Sequence, residues 1–172
     1  MIKLGYYRAA TYSDTGLRLI NNGTIIFKGK CVIGNDCSIV VNKDASVVLG
    51  DDFKVNAGLK LTSNNSVIFG SHVLIGWEVS ISDTSTNSSS KSINQRGIEI
   101  GENNWLSTRS IFFGTLKTPN NCIFGAYSII KDSNCSCLEP NCLYGGSPLR
   151  MLKRNIIRDY RNELITDYTL QS

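Results

Sequence analysis

The chain has 172 residues, a net charge of +4 and 41% hydrophobic content, enough for one domain with a narrow core. The positive excess collects near the C-terminus and forms no Lys/Arg block interleaved with aromatics, so nucleic acid is not expected as a partner. No apolar run is long enough to span a bilayer, and the opening MIKLGYYRAATYSDTG lacks the apolar stretch of a signal peptide, so a cytoplasmic protein is expected.

In chain order, apolar residues fall six apart in short blocks: Phe27, Ile33 and Ile39, then Leu49 and Val55, then Phe69, Ile75 and Ile81. Glycine follows the apolar residue at Ile33-Gly34, Leu49-Gly50 and Phe69-Gly70. The longest run is Ile100, Leu106, Phe112, Thr118, Phe124 and Ile130. An α-helix would return its apolar face at three and four, and a half-buried strand at two. A period of six is one face of a coil plus its turn, and its repetition predicts a parallel β-helix whose stacked coils form the core. The registers slip between blocks, so insertions or irregular turns must separate them. Asn and Ser between the apolar positions suit tight corners, since Asn tolerates positive φ.

The six cysteines, Cys31, Cys37, Cys122, Cys135, Cys137 and Cys142, form no CxxC pair and have no His at ligand spacing. They are expected to be small apolar residues in or beside the coil, and no metal site is expected. The polar stretch 84–96, with Ser85, Ser88, Ser89 and Ser90, has no core pattern and reads as a loop insertion. After Pro148 apolar residues recur every four, at Leu152, Ile156, Tyr160, Leu164 and Tyr168, with Arg and Lys between them. This spacing predicts an amphipathic α-helix packed along the outside of the coil. The domains expected are therefore 1–148, a β-helix with the insertion, and 149–172, a C-terminal helix and tail.

Over Ile98 to Arg154 the chain resembles the hexapeptide-repeat acyltransferases, and more narrowly those that acetylate sugars in surface-polysaccharide synthesis. The residues that carry the resemblance are Ile100-Gly101-Glu102-Asn103-Asn104-Trp105-Leu106, Phe124-Gly125-Ala126-Tyr127-Ser128-Ile129-Ile130 and the closing Gly145-Gly146-Ser147-Pro148 with its basic segment. The resemblance implies a left-handed parallel β-helix, a homotrimer, acetyl-CoA as co-substrate in a groove between coils, and a sugar-type acceptor hydroxyl or amine. γ-Class carbonic anhydrases share the coil, but one His per chain is too few for their zinc.

The same resemblance nominates site residues. The family's loop carries a catalytic His after an Ile-x-Asp start; here Ile81-Ser82-Asp83 keeps the Asp, and Asn87 stands where the His would be. Asn is no useful base near neutral pH. The lone histidine, His72, is either a replacement base or a solvated corner residue; an eighteen-residue coil, taken from the family, would stack it beneath Ser90. Three accounts of the missing base stay open: Asp83 orients an acceptor that needs little help, the loop brings His72 in, or catalysis is gone. Gly125 and Ala126 are expected against the pantetheine arm, and Ser107 either holds the thioester or simply finishes a corner. Lys131, Arg150, Lys153 and Arg154 are candidates for the CoA phosphates, with ordinary surface charge as the other reading. Trp77 and Trp105, beside inward positions, read as outward packing or a platform for a sugar ring. The alternative function is a non-catalytic trimeric scaffold in polysaccharide assembly.

Overall fold

The computed structural model describes residues 1–6, 15–84, 97–131, 137–162 and 164–167. Among them the regular structure is all strand. Successive coils each give one strand to each of three faces. The first coil is β1 (Ile2–Tyr6), β2 (Leu17–Asn21) and β3 (Thr24–Phe27). The second is β4 (Cys31–Gly34), β5 (Cys37–Val41) and β6 (Ser46–Leu49); the third is β7 (Phe53–Ala57), β8 (Lys60–Ser63) and β9 (Ser66–Phe69). Then come β10 (Leu74–Trp77), β11 (Ser80–Ser82) and β12 (Ile98–Ile100), followed by β13 (Trp105–Leu106), β14 (Ile111–Phe113) and β15 (Leu116–Lys117). The last coil holds β16 (Ile123–Phe124) and β17 (Ile129–Lys131), and β18 (Cys142–Gly145) tops the first face. Face A runs β1-β4-β7-β10-β13-β16-β18, face B β2-β5-β8-β11-β14-β17, and face C β3-β6-β9-β12-β15, all paired in parallel. This is a parallel β-solenoid of about six turns, as the period of six predicts.

The inward column is the one read from the sequence. Ile100, Leu106, Phe112, Thr118, Phe124 and Ile130 are all buried, as are Ile33, Ile39, Leu49, Val55, Phe69, Ile75 and Ile81. Strand alternation puts every second residue inside, so one short face contributes one or two apolar side chains per coil. Aromatics stack between coils, with Phe53 and Phe69 centroids 4.9 Å apart and Phe112 and Phe124 5.2 Å apart. The non-apolar member, Thr118, is accommodated because its Oγ1 accepts from Gly101 N at 3.0 Å and Asn104 Nδ2 at 2.8 Å. Burial pushes the Cys31 thiol up to about 11 and the Cys122 thiol up to about 12, and Cys31, Cys37, Cys122 and Cys142 are buried as small apolar residues, whereas Cys137 is exposed. Cys135 lies outside the described residues.

Corners explain the glycines and asparagines. At the corner between faces C and A, Asp52, His72, Asn103, Asn121 and Asn141 all have φ between 52° and 60°. At the corner between A and B, Asp36, Glu78, Arg109 and Tyr127 have φ between 55° and 59°. Gly50 is required for close approach: a Cβ there would lie 2.3 Å from Gly70 O in the next coil.

The expected C-terminal helix is not found, and the described residues form three strands in its place. β19 (Arg150–Arg154) pairs antiparallel with β18, while β20 (Ile156–Asp159) and β21 (Leu164–Asp167) form an antiparallel pair. A spacing of four is also every second position on one side of a strand, so the pattern did not discriminate. Local features also favour strand: Asn155 takes φ of 56°, and Ile156, Ile157, Ile165 and Thr166 are β-branched. Ile156 and Arg158 are buried while Ile157 and Asp159 are only half-buried, a period of two. The segment does pack along the outside of the coil, with Ile156 N donating to Asn141 O at 2.9 Å. Tyr168 lies outside the described residues.

Candidate functional site

Two turns in consecutive coils, 107–110 and 125–128, build a ledge on the A–B corner. Each is closed by a serine, Ser110 Oγ donating to Ser107 O and Ser128 Oγ to Gly125 O, both at 2.7 Å. Ser107 N donates to Phe124 O at 2.9 Å and Gly125 N to Tyr144 O at 2.8 Å, so Ser107, Gly125 and Gly145 stand in one column. The β18/β19 register sets Arg150 beside Gly145. A Cβ at Gly125 would lie 3.3 Å from Tyr144 O, a mild conflict, so the coil stack alone makes no strong demand for glycine there. Ala126 is exposed beside it.

The same corner carries residues the sequence reading missed. Arg109 Nε donates to the Glu78 carboxylate, its Nη1 donates to Tyr127 Oη at 2.8 Å, and its guanidinium lies 5.7 Å from the Tyr127 ring centre. The hydrogen bond to Glu78, then that to Tyr127, raises the Arg109 pKa further, so it is a permanent cation. Trp77 and Tyr127 are 41% and 63% exposed on either side. The signal that could have found the set is register: Arg109 and Tyr127 follow Thr108 and Ala126 by one residue in turns that stack.

Of the expected cofactor residues, the structure gathers Ser107, Gly125, Ala126 and Arg150 at this corner. Lys131 ends β17 on face B, away from the ledge. Lys153 pairs in register with Leu143 and Arg154 with Cys142, so Arg154 sits about 13 Å along β19 from Arg150. Arg154 also pairs with Glu139 at 3.0 Å.

Asp83 is buried at the corner between faces B and C. Its carboxylate accepts from Asn64 N at 2.6 Å, Asn65 N and Ser66 N at 2.8 Å, and Ser63 Oγ at 3.3 Å. Those bonds tie the corner of the preceding coil to the start of the insertion. Asn87 lies outside the described residues.

His72 sits at the C–A corner, a different edge from both Asp83 and the ledge. The expectation that it stacks beneath Ser90 is corrected, because Leu74 pairs with Trp105 and Asn103 N donates to Ser71 O at 2.8 Å, which places Asn103 over it. The family coil length fails here because the coil carries the 84–96 insertion. The His72 ring stacks on Tyr160 with centroids 3.8 Å apart, and its buried Nδ1 faces Asp52 Oδ2 at 3.6 Å. Arg158, itself 3% exposed, donates to His72 O and, at 3.3 Å, to Asn103 Oδ1.

No family model and no curated protein matches the chain. Among solved structures it is similar to one described as "Crystallographic analysis of the polysialic acid O-acetyltransferase OatWY", with 18% identity over 82% of this chain and 86% of that one, at a TM-score of 0.37.

Proposed function

We propose that the protein is a left-handed, trimeric hexapeptide-repeat acetyltransferase. In this reading it moves the acetyl group of acetyl-CoA to a hydroxyl or amine of a sugar or polysaccharide precursor, in the cytoplasm. The observation that carries the reading is the column at the A–B corner: Ser107 over Gly125, with exposed Ala126 beside them and the Arg109 and Arg150 cations close by. Small residues leave backbone open to a pantetheine arm, and guanidinium groups suit its phosphates. Ile111 and Phe113, 39% and 38% exposed on face B, supply apolar surface for subunit contact.

In the transfer the acceptor oxygen or nitrogen attacks the thioester carbonyl, the C–S bond breaks, and CoA leaves as the thiol with the proton the acceptor gives up. In this reading Ser107 holds the thioester. Asp83 contributes by fixing the corner from which the insertion departs. Asn87 supplies no base. His72 lies five residues, roughly 16 Å, across face A from the ledge, so in this reading it serves an acceptor only from a second copy. Without it, the chain contributes proximity and orientation. Lys153 and Arg154, farther along β19, are secondary phosphate contacts, and Lys131, away from the ledge on face B, is read as ordinary surface charge.

The test is incubation with acetyl-CoA and a panel of hydroxyl and amino sugars, with acetylated product followed by mass. Wild type is expected to form product, Ala126→Trp to lose about a hundredfold or more because the donor is displaced, and His72→Asn to lose about 10²-fold if it is the base. Absence of product with every acceptor, from a folded protein, would overturn the enzyme reading in favour of the scaffold.

A further inference from the structure

The outer side of face A holds a cleft of about 600 Å³, in the size range of small-molecule sites, lined by Lys3, Tyr6, Val32, Lys54, Asn56, Leu74, Trp105 and Arg158. It is separate from the ledge at the A–B corner. Register shows how it is built. Lys3 pairs with Val32, Val32 with Lys54, Lys54 with Leu74 and Leu74 with Trp105, so five strands present one outward column in which cationic and apolar side chains alternate before ending in an indole. Neighbouring strands stand about 4.8 Å apart, which puts the two lysines roughly 10 Å from each other and Lys54 the same distance from Trp105.

The lining residues carry three cations and no carboxylate. Lys3 Nζ is poised 4.9 Å from the Tyr6 ring centre, and the Arg158 guanidinium is held at the wall by Asn103 and His72 O. Asp52 holds Lys54 at 3.5 Å from the corner and also faces His72 Nδ1 at 3.6 Å. Fixed cations around an aromatic plate suit a ligand with a flat apolar ring face and an attached anion.

The geometry points to a binding site for an acidic sugar, one bearing a carboxylate or a phosphate, in the cleft on face A. The ring stacks on Trp105 and the anion lies at Lys54 and Arg158, with Lys3 at the far end of the cleft. Binding there requires no CoA, so this site stands or falls apart from the acyl-transfer reading.

The test uses the full chain carrying Trp77→Phe, which leaves Trp105 as the only indole, titrated with glucuronate, glucose 1-phosphate and glucose while Trp105 emission is recorded. A saturable change is expected with one or both anions and not with glucose, the two arms separating carboxylate from phosphate. Adding Lys54→Met should weaken binding by about tenfold or more, the loss of one bond to a charged group, and a second variant, Lys3→Met, should weaken it by less. No saturable change with either anion up to tens of millimolar, equal binding of glucose, or an affinity unmoved by both lysine variants would overturn the site.

Discussion

Asp83 accepts bonds from three consecutive backbone amides, and nothing in the local sequence announces it. Its position after Ile81-Ser82 attracted notice as a remnant of a catalytic loop, whereas its partners lie a full coil back. Finding them requires the strand register, which depends on corner lengths that composition does not reveal. Removing the carboxylate leaves those amides without their acceptor at about 1–3 kcal/mol each, less whatever water recovers, so Asp83→Ala should cost about 3 kcal/mol in urea unfolding. A variant of unchanged stability that had lost acetyl transfer would instead assign Asp83 to the chemistry. Thr118 and Asn104 carry the same lesson. Thr118 breaks an apolar period and is buried all the same, because Asn104 and Gly101 N satisfy its hydroxyl, while Asn104 Oδ1 accepts from Cys122 N at 2.6 Å.

The strands of the solenoid were legible as elements because a period of six excludes a helix. The segment after Pro148 was not, because a period of four fits both a helix and one side of a strand. Tertiary partners settle that ambiguity: Ile156 meets Asn141, Arg158 reaches Asn103 and His72 O, and Tyr160 stacks on His72, so β20 descends the C–A corner. Among the Arg and Lys residues between the apolar positions, Arg158 is buried. Its burial makes it the pin of the β20/β21 pair, and truncation strands the carbonyl of His72 and the Asn103 amide, each at about 1–3 kcal/mol. Arg158→Ala is therefore expected to accelerate amide exchange in 156–159 by about tenfold or more while leaving Leu106, Phe112 and Phe124 protected. Uniform loss of protection along the coils would show that the hairpin does not open as its own unit. Lysine should not rescue, since it lacks the planar fork that serves both acceptors.

At the scale of the whole molecule, the architecture follows from a core one coil cannot bury alone: each inward residue needs those above and below, so the stack is the cooperative unit. That much is in the spacing of Ile100, Leu106, Phe112, Phe124 and Ile130. The site was legible only in part. Ser107, Gly125 and Ala126 were nominated by the resemblance of their motifs, whereas Arg109, Glu78 and Tyr127 depend on how the turns stack, and His72 was misplaced because the insertion lengthens its coil. The central claim is that the A–B ledge holds acetyl-CoA, and calorimetry of acetyl-CoA with wild type and Ala126→Trp, at moderate salt to screen loose phosphate attraction, tests it most directly. Saturable binding near one per chain, abolished in Ala126→Trp while the solenoid stays folded, is the predicted result. No binding at millimolar acetyl-CoA, or the same affinity in the variant, would contradict it.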